Sequence, residues 1–303
     1  MSGHDWLAER FEENRGHLRA VAYRMLGSAN EADDAIQETW LRLSRSDASA
    51  IENLGGWLTT VVSRVCLDML RSRTSRREES IAENAPEPVA SRQAGNDPER
   101  EALLADSVGI ALLVVLDRLA PAERLAFVLH DMFDVPFEEI AEIVGRSPDA
   151  ARQLASRARR RVQGADTVPG TARAQQRAVV NAFLAALRAG DVEGLIAVLD
   201  PDVLVRVDEA GARPGAPREV RGARGWAKGA VAWGKGVVAF AHAMRFAQPA
   251  LVDGELGIVL APDGHLQRVL KFTMANGKIA QVEIIADATR LAQLEIGVLD
   301  ALP

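Results

Sequence analysis

Between Arg146 and Arg161 the chain carries six arginines, with Gln153 and Ser156 among them. Side chains of these types read base edges: a guanidinium donates two hydrogen bonds to guanine, a glutamine amide pairs with adenine, and a serine hydroxyl serves either. The net charge of the chain is −6, so bulk electrostatics do not announce a nucleic-acid partner and any such contact needs a local patch. In the C-terminal part the candidate acid–base residues are Asp208, His242 and His265; Asp208 and His265 read equally as solvated loop residues and His242 as a core or rim histidine, and no two have a spacing that predicts a working pair. The single cysteine, Cys66, excludes an intramolecular disulfide and reads as a buried thiol of a reducing, cytoplasmic protein. No metal or cofactor is expected.

The arginines need an element to present them. Phe137, Ile140, Ala141 and Val144 follow i, i+3, i+4, i+7, which predicts a short helix with one buried face. Gly145 ends it, and Ser147-Pro148 opens the next helix with an N-cap and a proline at the first helical position. Two helices on a tight glycine turn form a helix-turn-helix. Ala151, Leu154, Ala155, Ala158 and Val162 make the buried stripe of the second helix. Asp149, Arg152, Gln153, Ser156, Arg157 and Arg160 then share the opposite face, with Arg159 and Arg161 at its flanks, where phosphates would lie. A solvated basic helix end, favoured by the helix dipole, accounts for Arg159 to Arg161. It does not account for the short helix, the glycine turn and the small-residue stripe that precede them.

The N-terminal part is helical by the same criteria. "SANEADDAIQETWLRL" opens with a capping box of Ser28 and Glu31 and has an apolar face of Ala32, Ile36, Thr39, Trp40 and Leu43. Its far face holds Asp34, Gln37, Glu38 and Leu41, an acidic strip with a leucine in its middle. Such a strip is either an ordinary solvated face or a docking surface for a basic helix. In "NLGGWLTTVVSRVCLDMLRSRTSRRE", Trp57, Leu58, Val61, Val62, Val65 and Leu70 are core candidates, and Arg64, Arg71, Arg73, Arg76 and Arg77 form a basic edge. The stretch from Arg76 to Arg100 is polar, proline-bearing and without period, hence a linker.

After a second Gly/Pro-containing connection the character changes. An amphipathic helix, "QQRAVVNAFLAALRAGD", is followed by strand-like runs separated by Asp253-Gly254, Asp263-Gly264 and Asn276-Gly277. Asx-Gly supplies the positive φ angles of tight hairpins, which predicts a four-strand antiparallel meander. A last helix is expected over "DATRLAQLEIGVLDAL" with Asp287 as its cap. Helix first and curved sheet after is an α+β unit, a cone enclosing a cavity, with Trp226 and Trp233 either lining the cavity or packing in its wall. No apolar run approaches the ~18 residues of a membrane span, and the N-terminus lacks a signal-peptide core.

Taken in order, "EADDAIQETWLRL", "GGWLTTVVSRVCLDMLRSR" and "LAPAERLAFVLHDMFDVPFEEIAEIVGRSPDAARQLASRARRRV" resemble regions 2 and 4 of the extracytoplasmic-function (group 4) sigma factors of RNA polymerase. The C-terminal unit resembles the SnoaL-like, NTF2-like cone, and the combination looks like the sigma factors with a fused SnoaL-like extension, often called SigJ-like. The fold class implied is multidomain: two all-α sigma domains (a region 2 helical bundle and a region 4 helix-turn-helix), then an α+β NTF2-like cone. The boundaries expected are 1–77, a linker 78–100, 101–164, a linker 165–174, and 175–303.

The resemblance implies a sigma factor, not an enzyme, that binds core RNA polymerase and directs promoter recognition, with the C-terminal unit regulating it in cis. Asp33, Asp34, Gln37, Glu38 and Leu41 correspond to the surface that docks on the β′ clamp helices. The β flap is the second polymerase contact. Trp57, Thr60, Arg64, Arg71 and Arg73 correspond to −10 recognition, and Arg146, Ser147, Arg152, Gln153, Ser156, Arg157 and Arg160 to −35 recognition. Pro86, Glu87 and Pro88 correspond to a regulatory linker. A small-molecule ligand in the cone is a further candidate partner, and no membrane is expected. The alternative is a DNA-binding regulator whose cone binds or turns over a small molecule.

Overall fold

The computed structural model describes residues 3–47, 51–82, 109–164, 170–212, 215, 217–236 and 243–299. Periodicity in the first half of the sequence is matched by helices α1 (Gly3–Leu26), α2 (Ala29–Ser44), α3 (Leu54–Ala82), α4 (Ile110–Asp117), α5 (Pro121–Phe127), α6 (Phe137–Val144) and α7 (Pro148–Gln163), with a π-helical turn at Val128–Met132. By its internal contacts the chain divides into two units, Met1–Leu104 with Leu116–Arg160, and Ala105–Val115 with Arg161–Leu302. The divisions fall inside α4 and in the last turn of α7.

In the first unit, α1, α2 and α3 pack around Leu18, Val21, Ile36, Leu43, Leu58 and Val62, all buried. Gly27 (φ 75°) closes α1 in the left-handed conformation, its N–H reaching the Tyr23 carbonyl. Ser28 then occupies the N-cap of α2, but the expected capping box does not form. The serine side chain makes no capping hydrogen bond, and Glu31 is drawn instead into an ion pair with Arg73. A full positive charge within reach outcompetes a backbone N–H for a carboxylate.

Helices α5 and α6 pack against α3 within the same unit. Arg124 of α5 is enclosed there. Its Nε and Nη2 each donate to the Arg24 carbonyl at 3.2 Å, satisfying the open end of α1, while Asp117 lies 3.8 Å from Nη1. Burial pushes this guanidinium down to about 10; Asp117 pulls it up and Arg73 adds to the depression. Phe133 meets the His17 ring edge-on at 5.2 Å and carries the Arg24 guanidinium on its face.

In the second unit, α8 (Gly170–Ala189) and α9 (Val192–Val198) precede β1 (Leu199–Val207) and β2 (Glu219–Arg221). Then come α10 (Ala223–Gly236), β3 (Ala247–Val252), β4 (Glu255–Leu260), β5 (Arg268–Ala275), β6 (Lys278–Ile285), α11 (Ala288–Gln293) and β7 (Ile296–Gly297). Strands β3 to β6 form the expected antiparallel meander in a sheet ordered β2-β1-β6-β5-β4-β3-β7, with β1 parallel to β6. The core lies between the helices and one sheet face. Val180, Phe183, Leu187, Leu195 and Ala227 meet Val203, Ile258, Leu270, Phe272 and Val282.

Two hairpin turns are as expected, Asp253-Gly254 and Asn276-Gly277, both with positive φ at each residue. The third is not a two-residue turn, since a 3₁₀ turn at Pro262–Gly264 and four further residues separate β4 from β5. The last helix is also shorter than expected. Asp287 caps it, accepting from the Arg290 N–H, but it stops at Gln293. The chain then extends so that Ile296 and Gly297 pair with β3. Gly297 approaches Gly164 so closely that a Cβ there would lie 2.9 Å from the Gly164 Cα.

Candidate nucleic-acid interface

Helix α7 is positioned by the turn before it. Gly145 takes the left-handed conformation (φ 68°), the Arg146 N–H bonds back to the Ala141 carbonyl, and the Ser147 hydroxyl accepts from the Ala150 N–H. Ala151, Leu154, Ala155, Ala158 and Val162 are buried, whereas Arg146, Ser147, Arg152, Gln153, Ser156, Arg157 and Arg160 are exposed. Asp149 and Arg152 pair at 2.6 Å, and the Arg152 guanidinium lies over the Phe137 ring. Arg157 is held by Glu123 at 2.8 Å and Arg159 by Asp131 at 2.6 Å. These two ion pairs anchor the flank of α7 to α5 and the π turn. Arg152, Gln153, Ser156 and Arg160 are thereby left on one open face.

On α3, Trp57, Thr60, Arg64 and Arg71 follow i, i+3, i+7, i+14 and fall on one stripe. Arg64 and Arg71 are exposed, Thr60 is half-buried, and Trp57, taken from sequence as core, is half-buried too. Arg73 is turned to the other side of the helix, where it pairs with Glu31 and donates to the Leu26 carbonyl. The structure therefore brings four of the five residues of this group together and gives the fifth a structural partner.

The acidic strip of α2 borders a groove of about 500 Å³ lined by Phe11, Arg15, Asp33, Asp34, Gln37 and Trp40, among others. Arg19 pairs with Asp33 and Arg42 with Glu38, leaving Asp34 and Gln37 exposed. Leu41 is 39% exposed at the end of the strip, and Trp6 of α1 is 45% exposed. Trp40 sits edge-on to Phe11 at 5.1 Å. Pro86, Glu87 and Pro88 lie outside the described residues.

Residues 10–76 match the Sigma-70 region 2 family and residues 110–162 the Sigma-70 region 4 family. Over 286 residues the chain is 41% identical to the ECF RNA polymerase sigma factor SigJ of Mycobacterium tuberculosis, covering 91% of this chain and 90% of that one. This chain belongs to the ECF RNA polymerase sigma factors. A second sigma factor of the same organism, SigI, is 34% identical over 302 residues, 97% of this chain and 98% of the relative. The crystal structure of SigJ aligns at 36% identity and a TM-score of 0.44, over 94% of this chain and 98% of that one. As an ECF sigma factor the protein acts in transcription, with core RNA polymerase and promoter DNA as its partners.

Of the residues of this sigma factor that sequence reasoning singled out for proton transfer, Asp208 is engaged by backbone donors. Asp208 Oδ1 accepts from the Gly211 N–H at 2.9 Å, and Oδ2 accepts from the Ala286 and Asp287 N–H groups at 2.8 and 2.9 Å. Burial raises its carboxyl, but these three donors and the nearby Arg290 outweigh burial and hold it below the usual carboxylate range. It is a turn-fixing carboxylate, not a poised base. His265 sits at the end of the 3₁₀ turn, and His242 lies outside the described residues. Among the described residues no three His, Cys, Asp or Glu side chains cluster as a metal site, and no helix is long and apolar enough to cross a membrane. Sequence reasoning missed Glu123, Arg124 and Asp131. They read as ordinary helix-surface charges, and nothing in their spacing announces partners more than twenty residues away.

Proposed function

We propose how this sigma factor divides its work among its residues in the cytoplasm. The α2 strip of Asp33, Asp34, Gln37, Glu38 and Leu41 docks on the β′ clamp helices of core polymerase. The stripe of Trp57, Thr60, Arg64 and Arg71 takes the −10 element, holding an unstacked base and the displaced strand. The turn residues Arg146 and Ser147 and the α7 face of Arg152, Gln153, Ser156, Arg157 and Arg160 read the −35 element in the major groove, with region 4 also meeting the β flap. The second unit, acting through the linker at Pro86, Glu87 and Pro88, regulates this activity in cis and does no chemistry.

The observation that carries the reading is the two-sidedness of α7. Its small-residue stripe is buried, and every side chain proposed to read the −35 element is exposed, with Arg152, Gln153, Ser156 and Arg160 on one open face and Arg157 beside them, tied to Glu123. The test is multi-round transcription with purified core polymerase on a promoter library. Arg152→Ala with Arg160→Ala is expected to cut −35-dependent transcripts at least tenfold while core binding is kept, since each base-reading pair contributes about 1–3 kcal/mol. Equal transcription by wild type and variant would sink the assignment. Replacing Pro86 to Pro88 by glycine and serine is expected to change transcript yield, and an unchanged yield would remove the linker from the regulatory reading.

A further inference from the structure

The second unit contains a cavity of about 250 Å³ between α10 and the inner sheet face. Its walls are apolar: Trp226 on one side, Leu270 and Ile284 of neighbouring strands on the other. Trp226 stacks on the buried Phe183 ring at 5.8 Å and 18°, which fixes the indole plane while its remaining surface lines the cavity. Gly225 and Gly229 stand one turn apart on α10, and a Cβ at either would meet no atom within 4 Å, so that side of the helix is left bare at the opening.

Into this apolar space comes one charged lining residue, Arg268 of β5. Among the described residues its guanidinium makes no hydrogen bond or ion pair. The carboxylate that acts on it electrostatically, Asp208, is already engaged by three backbone N–H groups and by Arg290. Arg268 is half-buried and an arginine stays charged at neutral pH even where burial lowers it, so the cavity holds a standing positive charge that no described residue pairs. A cation facing a flat aromatic wall in an apolar pocket selects one ligand chemistry.

We infer that this cavity binds a small aromatic anion, one or two fused rings bearing a carboxylate or sulfonate. The ring lies along Trp226 and the acid group pairs with Arg268. The volume sets the size limit, falling just below the roughly 300–1,000 Å³ of pockets for drug-sized ligands. Binding is independent of the sigma assignment, so either can fail without the other.

The test uses the full chain and isothermal titration calorimetry with 2-naphthoate, beside its neutral analogue 2-naphthamide. Naphthoate is expected to bind at one site per chain and at least tenfold more tightly than the amide. In Arg268→Met the preference for the acid disappears, and in Arg268→Lys it is partly restored. Gly229→Leu, at an exposed helical position that a side chain can occupy without strain, is expected to abolish binding of both compounds with unchanged circular dichroism. No saturable naphthoate binding, equal affinity of the wild type for acid and amide, or undiminished binding by Gly229→Leu would each overturn the inference. The acid–amide comparison needs no variant, so it stands even if Arg268→Met fails to fold.

Discussion

Replacing Asp208 by alanine should loosen the junction between β1, β6 and α11. The carboxylate is 8% exposed and accepts three backbone hydrogen bonds, from Gly211, Ala286 and Asp287. A hydrogen bond to a charged group contributes about 1.5–3 kcal/mol, but three on one carboxylate at a rim that water can reach do not sum fully; about 3 kcal/mol of local opening free energy is the expected loss. That corresponds to roughly 150-fold faster hydrogen exchange at the Ala286 and Asp287 amides at neutral pH. Asp208→Asn, which keeps one carbonyl oxygen and loses the charge, should fall between alanine and wild type. The pH dependence has a definite sign. The folded carboxyl lies below its unfolded value of about 3.9, so its contribution is full above that pH and fades as pH falls through the lower folded value. The gap between wild type and variant should therefore be constant from neutral pH down to about 5 and narrow below about 4. Exchange at these amides within about threefold of wild type, or a gap unchanged into acid, would refute a carboxylate held charged by its backbone donors.

Three other outcomes are expected. Arg124→Met should leave the melting temperature within about 3 °C, because the lost bonds to the Arg24 carbonyl are offset by release of a charge that burial disfavours; a fall beyond about 10 °C in a thermal melt would contradict this. Gly297→Val should destabilise the second unit by about 1–3 kcal/mol in urea titration, since a Cβ there meets the Gly164 backbone; no change would mean the two segments can part freely. Leu41→Glu should weaken binding of the fluorescently labelled factor to core polymerase about tenfold in anisotropy, with folding unaffected at a position already 39% exposed; equal affinity would place the docking surface elsewhere.

The parts of this molecule that were legible beforehand are those governed by period and capping. The helix-turn-helix could be placed to the residue because Gly145, Ser147 and Pro148 each have a local reason to stand where they do. Two of the hairpins were legible for the same reason. What escaped has no period or no local cause. Strands β2 and β7 span three and two residues, too short for alternation to register, and the extension of Ile296 is decided by the edge of β3. The Ser28–Glu31 box failed because Arg73, forty-two residues on, competed for the same carboxylate. Arg268 sits in a strand-like run among apolar residues, and only the sheet register turns it toward a cavity.

Cys66 has a consequence for how signals reach this factor. The thiol is buried in α3, and burial pushes it up to about 12, so at neutral pH it is neither ionised nor accessible. It is also the only cysteine in the chain. Where peroxide, nitric oxide and disulfide reagents act on cysteine they act through an exposed thiolate, and here they find none. An oxidant that changes transcription from this factor's promoters therefore does so by a route other than this thiol.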